Sequence, residues 1–281
     1  MSSCLEKFSY CDELVDEFEK VISCPKKEKS SVYYTGVDLG TAYVVLAVLD
    51  ENKKPVAGAY RRASVVKDGM VVDYMGAIKI VRELKNELEE KLDAKLVYAA
   101  AALPPGTTSL DSGAIKHVVQ GAGFELTALL DEPTAANAVL KISDGAIVDV
   151  GGGTTGISIL KDSKVVYVAD EPTGGTHFSL VIAGAYKMPF EEADTYKRDE
   201  KNHKELTPVI KPVVDKVSSI INTHIKNHDV SEVYLVGGTC CFNNIEEMIE
   251  NYIKIPTIKP KNPLFVTPLG IALNCTQEIM E

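Results

Sequence analysis

Val37-Asp38-Leu39-Gly40-Thr41 and Val148-Asp149-Val150-Gly151-Gly152-Gly153-Thr154-Thr155 write one pattern twice. In each, an apolar run ends in Asp, and Gly and Thr follow before a second apolar run. That second run is Val44-Val45-Leu46-Ala47-Val48-Leu49 in the first copy and Ile157-Ser158-Ile159-Leu160 in the second. A third run follows each, over residues 55–60 and 164–168. The repeat predicts two lobes, each offering a glycine-rich turn and a carboxylate to one cleft. Backbone N–H groups released by such turns cradle phosphates, and paired Asp side chains hold a hydrated Mg²⁺. Taken singly, each turn is equally a plain hairpin with glycine where φ is positive. The repetition and the three consecutive glycines favour a nucleotide site.

The composition narrows the partners. At 281 residues the chain is near the length where one core splits into two. Hydrophobic residues make up 45% and charged residues 25%, the balance of an ordinary globular protein. A net charge of −10 leaves no basic face for nucleic acid or an anionic membrane. Apolar runs are too short to span a bilayer, and Glu6, Asp12, Glu13 and Asp16 interrupt any signal-peptide core, so a cytoplasmic location is expected. The cysteines at 4, 11, 24, 240, 241 and 275 have no metal-ligand spacing and read as reduced thiols, with Cys240 and Cys275 in the core. The five histidines form no ligand-like group, and His177 reads as a helix-start residue.

Residues 1–24 carry Leu5, Phe8, Cys11, Leu14, Val15, Phe18 and Ile22 at helical spacing, ahead of a polar linker to residue 31. That stripe either packs on the body or docks on a partner. Beyond the first three strands, helices are expected over 73–92, 112–121 and 133–140, alternating with strands over 96–103 and 125–130. A second lobe repeats the order, with helices over 177–187, 190–198, 206–227 and 245–252, strands over 232–236 and 255–258, and a last helix from Pro268. The expected division is 1–31 for helix and linker, 32–143 for the first lobe and 144–281 for the second. The fold class is α/β.

Asp38-Leu39-Gly40-Thr41, Asp131-Glu132-Pro133-Thr134-Ala135-Ala136, Asp149-Val150-Gly151-Gly152-Gly153-Thr154 and Leu235-Val236-Gly237-Gly238-Thr239 together resemble the actin/DnaK-type ATPase superfamily. Residues 65–73 resemble the matching stretch of MreB- and FtsA-type proteins. Beyond residue 31 nearly the whole chain resembles the ethanolamine-utilization family within that superfamily. The most specific phrases are Asp170-Glu171-Pro172-Thr173-Gly174-Gly175-Thr176-His177 and Val236-Gly237-Gly238-Thr239-Cys240-Cys241.

The resemblance implies an actin-like ATPase fold of two duplicated ribonuclease-H-like lobes around a nucleotide cleft, with ATP and Mg²⁺ as ligands. It implies that Gly40 and Thr41 hold the β- and γ-phosphates, and that Gly151, Gly152, Gly153 and Thr154 grip them from the other lobe. By the same resemblance Asp38 and Asp149 anchor the metal through water, and Glu132 lies near the attacking water, while also suiting a helix N-terminus beside Pro133. Gly237, Gly238 and Thr239 match the loop against the adenosine, and Asp194 and Lys197 match an acidic-x-x-Lys pair contacting the nucleoside. Ala135, Ala136 and Ala138 imply a helix packed closely near the lobe boundary, with Pro268-Leu269-Gly270-Ile271-Ala272 as its counterpart in the second lobe.

Implied by resemblance, the activity is chaperone-like or assembly-factor-like. It is driven by lobe closure, with slow Mg-dependent hydrolysis possible. It acts on enzymes or shell proteins of an ethanolamine-utilization microcompartment. Three departures keep an alternative open. The Gly-Gly-Thr loop continues as Cys240-Cys241-Phe242 without an arginine, Lys67 is the nearest candidate for a catalytic lysine, and no peptide-binding domain follows. The alternative is a catalytically weak nucleotide-binding scaffold of the PilM or FtsA kind. A small-molecule kinase and a filament former are the remaining readings.

Overall fold

The structure, a computed structural model, describes residues 8–67, 69–105 and 109–280. Cys4, Leu5, Glu6 and Asp68 of the readings above lie outside the described residues. The chain forms two compact units, residues 1–141 with 265–281 and residues 142–264.

In the first unit, strands β1 (Tyr34–Leu39), β2 (Tyr43–Leu49) and β3 (Pro55–Arg62) form an antiparallel meander. Strand β6 (Tyr98–Leu103) joins β1 in parallel, and β7 (Glu125–Asp131) joins β6 in parallel, giving the order β3-β2-β1-β6-β7. Between them β4 (Val66–Lys67) and β5 (Met70–Val71) pair as a separate small hairpin, in the stretch that resembles MreB-type proteins. Helices α2 (Tyr74–Leu92) and α3 (Ser109–Gly121) pack on the sheet and on each other. Helix α2 does so because Ile78, Val81, Leu84, Leu88 and Leu92 recur at helical spacing and bury one stripe. Asp73 caps it by accepting the Gly76 N–H at 2.9 Å.

Helix α4 (Glu132–Leu140) follows β7 directly, and α1 (Ser9–Ser23) lies against β3. Phe8, Cys11, Leu14, Val15, Phe18 and Val21 are buried, and the Lys26 N–H bonds the Val56 carbonyl at 2.8 Å. The amphipathic stripe therefore covers the unit's own sheet.

The last helix, α9 (Val266–Asn274), also belongs to this unit, where the expected division had put it in the second lobe. It packs on β1 and crosses α4 so closely that a Cβ at Gly270 would stand 1.8 Å from the Ala135 carbonyl oxygen. Both small-residue helices named above are thus brought together inside one unit. Local patterning carried no information about which sheet the final helix would cover.

The second unit repeats the topology. Strands β8 (Gly145–Val150), β9 (Thr155–Lys161), β10 (Lys164–Glu171), β11 (Val233–Val236) and β12 (Thr257–Ile258) stand in the order β10-β9-β8-β11-β12. The pairings are antiparallel for the first three and parallel for the rest, strand for strand as in the first unit. Helices α5 (Gly175–Tyr186), α6 (Phe190–Arg198), α7 (His203–Ile225) and α8 (Ile245–Ile253) complete it. Helix α7 starts slightly earlier than expected, and Pro208 and Pro212 lie inside it, as they do in the expected range. The buried stripe Leu206, Ile210, Val213, Val214, Val217, Ile221 and Ile225 outweighs the backbone bonds those prolines remove.

Candidate functional site

The two aspartate–glycine turns are built to one register. Asp38 pairs with Val45 and Leu39 with Val44, leaving residues 40–43 as the turn. Asp149 pairs with Gly156 and Val150 with Thr155, leaving 151–154. Each Asp is the penultimate residue of its unit's central strand and is half-buried.

In the second unit the glycine turn is held by its carbonyl groups. The Gly175 N–H donates to the Gly151 oxygen at 2.9 Å and the Thr176 N–H to the Gly152 oxygen at 2.8 Å. The Thr239 hydroxyl donates to the Gly151 oxygen at 2.7 Å. In a trans peptide the C=O and the following N–H point in opposite directions, and no cis peptide occurs among the described residues. Fixing the carbonyls of Gly151 and Gly152 toward residues 174–176 therefore aims the N–H groups of Gly152 and Gly153 the other way. Two consecutive donors so oriented suit an anion such as phosphate.

Behind this anchor stands a charged pair on α6. Lys197 Nζ donates to the Gly175 oxygen at 2.8 Å, to Ser179 Oγ at 2.8 Å and to Asp194 Oδ1 at 3.0 Å. Ser179 Oγ in turn donates to Asp194 Oδ1 at 2.9 Å. The structure thus places Asp194 and Lys197 against the start of α5, where the lysine braces the residue that holds the glycine turn. His177, as expected of a helix-start residue, serves that same end: its Nδ1 accepts the Gly174 N–H at 3.3 Å.

Gly237 closes β11 at φ +90°, beside Asp149, and Gly238 lies against Leu264. The buried Cys240 thiol is pushed well above its ordinary value, first by burial and then by the nearby Asp149 charge, which makes it an inert core residue. Cys275 is buried in the same way.

In the first unit, Asp38 near the end of β1 and Glu132 just beyond β7 lie at the C-terminal end of a parallel set, with β6 between them. Two strand spacings, with an offset of two residues along the strands, put their backbones about 12 Å apart. Asp131 caps α4, accepting the Thr134 N–H at 2.8 Å and its hydroxyl at 2.7 Å, and so fixes Glu132 as the first helical residue. Gly40 and Thr41 lie in the turn that follows β1. Lys67 is exposed on the small hairpin. No group of three or more metal-ligating side chains occurs among the described residues. Magnesium held mainly by phosphate and water needs none.

The structure brings together Asp149, Gly151–Thr154, Asp194, Lys197 and Gly237–Thr239 in the second unit, and sets Asp38, Gly40, Thr41 and Glu132 at the C-terminal ends of the parallel strands of the first. Sequence reasoning missed the anchoring role of Gly175, Thr176 and Ser179. The signal for the first two was the Gly174-Gly175-Thr176 run after Pro172.

Among solved structures, MreB 5 of Spiroplasma citri bound to AMPPNP matches with a TM-score of 0.70 at 17% identity, over 87% of this chain and 96% of that one. A family model described as type IV pilus assembly protein PilM matches residues 116–264. Fold and duplicated turns define a protein of the actin-like ATPase fold. The ethanolamine utilization protein EutJ of Salmonella typhimurium is 42% identical over 240 residues, 85% of this chain and 84% of that protein. The crystal structure of EutJ from Carboxydothermus hydrogenoformans matches with a TM-score of 0.89 at 48% identity, over 94% of this chain and 97% of that one. The chain belongs to the EutJ family of ethanolamine-utilization proteins. Among the described residues, no helix is long and apolar enough to cross a membrane.

Proposed function

We propose that this chain is a nucleotide-dependent switch protein that binds Mg·ATP and acts on protein components of ethanolamine utilization in a chaperone-like or assembly-factor role. The observation that carries the reading is the turn at 151–154, whose carbonyls are bonded to Gly175, Thr176 and Thr239 so that successive N–H groups are left aimed away from them. In this reading Gly151, Gly152, Gly153 and Thr154 bind phosphate in the second unit, and Gly40 and Thr41 do so in the first. Asp38 and Asp149 are carboxylates for hydrated Mg²⁺, and Glu132 orients water. Gly237, Gly238 and Thr239 border the nucleoside. The partners proposed are ethanolamine-utilization enzymes or the shell proteins of a microcompartment.

Calorimetric titration with Mg·ATP tests it, using the wild type and Asp38→Asn and Asp149→Asn separately. Binding by the wild type and at least tenfold weaker binding by each variant is expected. Equal affinity in all three removes the metal-linked site. The PilM match supports a second reading, a scaffold that binds nucleotide with little turnover. Tight binding without phosphate release selects it.

A further inference from the structure

The duplicated sheets treat their equivalent outer strands differently. In the first unit that strand is β3, and its edge is occupied: the Lys26 N–H bonds the Val56 carbonyl, and α1 lies across the strand with Phe18 against Gly58. Five of the eight β3 residues are buried. Its counterpart β10 has no neighbouring strand on its outer side among the described residues. None of its residues is buried, and Val165, Val166 and Val168 are 37%, 55% and 39% exposed. A long apolar edge strand without proline or glycine is a template for pairing with another chain.

The edge is rigidly held from behind. Tyr167 Oη lies 2.7 Å from His224 Nδ1, His224 Nε2 lies 3.1 Å from Glu171 Oε1, and the Tyr167 and His228 rings stand 4.8 Å apart. Pairing therefore requires little ordering of β10 itself.

The charges select the partner. Lys164 opens the strand and Glu171 closes it, with Val165-Val166-Tyr167-Val168 between them and Ala169 and Asp170 beyond. Antiparallel pairing of two copies about Val168, with the extra residue at Val165–Val166 set against a single residue of the other copy, places Lys164 of each opposite Glu171 of the other, twice by symmetry. Parallel pairing would set like charges together. We propose that β10 is a self-association edge, through which two copies of this chain join their second-unit sheets as a closed twofold dimer. The dimer consumes both edges, so it does not propagate into a filament. The single-residue irregularity between Val165 and Tyr167 bends the strand and keeps the paired segment short, which makes the association a concentration-dependent one.

Sedimentation velocity of the full chain, from micromolar to near-millimolar concentration, tests this. A monomer–dimer equilibrium is expected, weakened about tenfold or more by Lys164→Glu and restored in Lys164→Glu/Glu171→Lys. Because Glu171 also meets His224, thermal unfolding must show that the double variant is folded. If it is not, Val166→Lys on the exposed strand face decides, and it must abolish the dimer. A chain that stays monomeric throughout overturns the proposal, including the case in which another protein's extended segment takes the edge. So does a dimer that survives both Lys164→Glu and Val166→Lys.

Discussion

A Cβ placed on Gly237 would fall 2.2 Å from Asp149 Oδ1 and 2.7 Å from the Val150 carbonyl oxygen. The glycine after β11 is therefore demanded by the carboxylate at the end of β8, in addition to any clearance it gives a nucleoside. Strand β8 pairs with β11 up to Asp149 and Val236, so the two motifs meet as a direct result of sheet register.

Gly237→Ala should lower stability by about 2 kcal/mol or more, since φ +90° is costly for any residue with a Cβ and the methyl must displace Asp149. Mg·ATP affinity should fall at least tenfold with it. Urea unfolding and calorimetry measure the two effects. Wild-type affinity in a folded variant would show that the position of Asp149 does not matter to binding.

Helix α1 packs as part of the first unit, with Val15 and Phe18 fully buried and the Phe18 ring edge-on to Phe265 at 5.2 Å. Phe18→Ala should cost about 3 kcal/mol. Removing residues 1–30 should lower the melting temperature by exposing β3. An unchanged melting temperature in the truncated chain would instead mark the stripe as a docking helix.

His203 links the site to pH. It stacks on Phe242 with ring centroids 4.0 Å apart, its Nδ1 accepts the Asn243 N–H at 3.1 Å, and its Nε2–H donates to the Lys197 carbonyl at 3.0 Å. Burial lowers its pKa from the ordinary 6.5, so the folded protein prefers the neutral ring and the unfolded chain binds the proton more readily. The resulting stability is present above the unfolded value and is lost as pH falls from there through the folded one. Carboxylates act in a lower window, near pH 4. The unfolding free energy of the wild type should therefore decline as pH falls below about 6.5, and His203→Gln should flatten that decline. Parallel curves for the two proteins would exclude His203 as its source.

Much of this protein was legible in short stretches of sequence. Asp38 with Gly40 and Asp149 with Gly151 announced a duplicated strand–turn–strand unit because alternation, turn chemistry and glycine placement are local properties. The helical stripes of α2 and α7 were readable for the same reason. Tertiary structure alone decided which surfaces those elements cover. It decided that α9 crosses α4 in the first unit, that α1 lies on β3, and that Lys197 braces Gly175. An apolar stripe or an i,i+3 charge pair specifies that a face must be satisfied, but not which of several distant surfaces will satisfy it. That choice rests on shape fit between segments far apart in the chain, down to a helix crossing that admits no Cβ at Gly270.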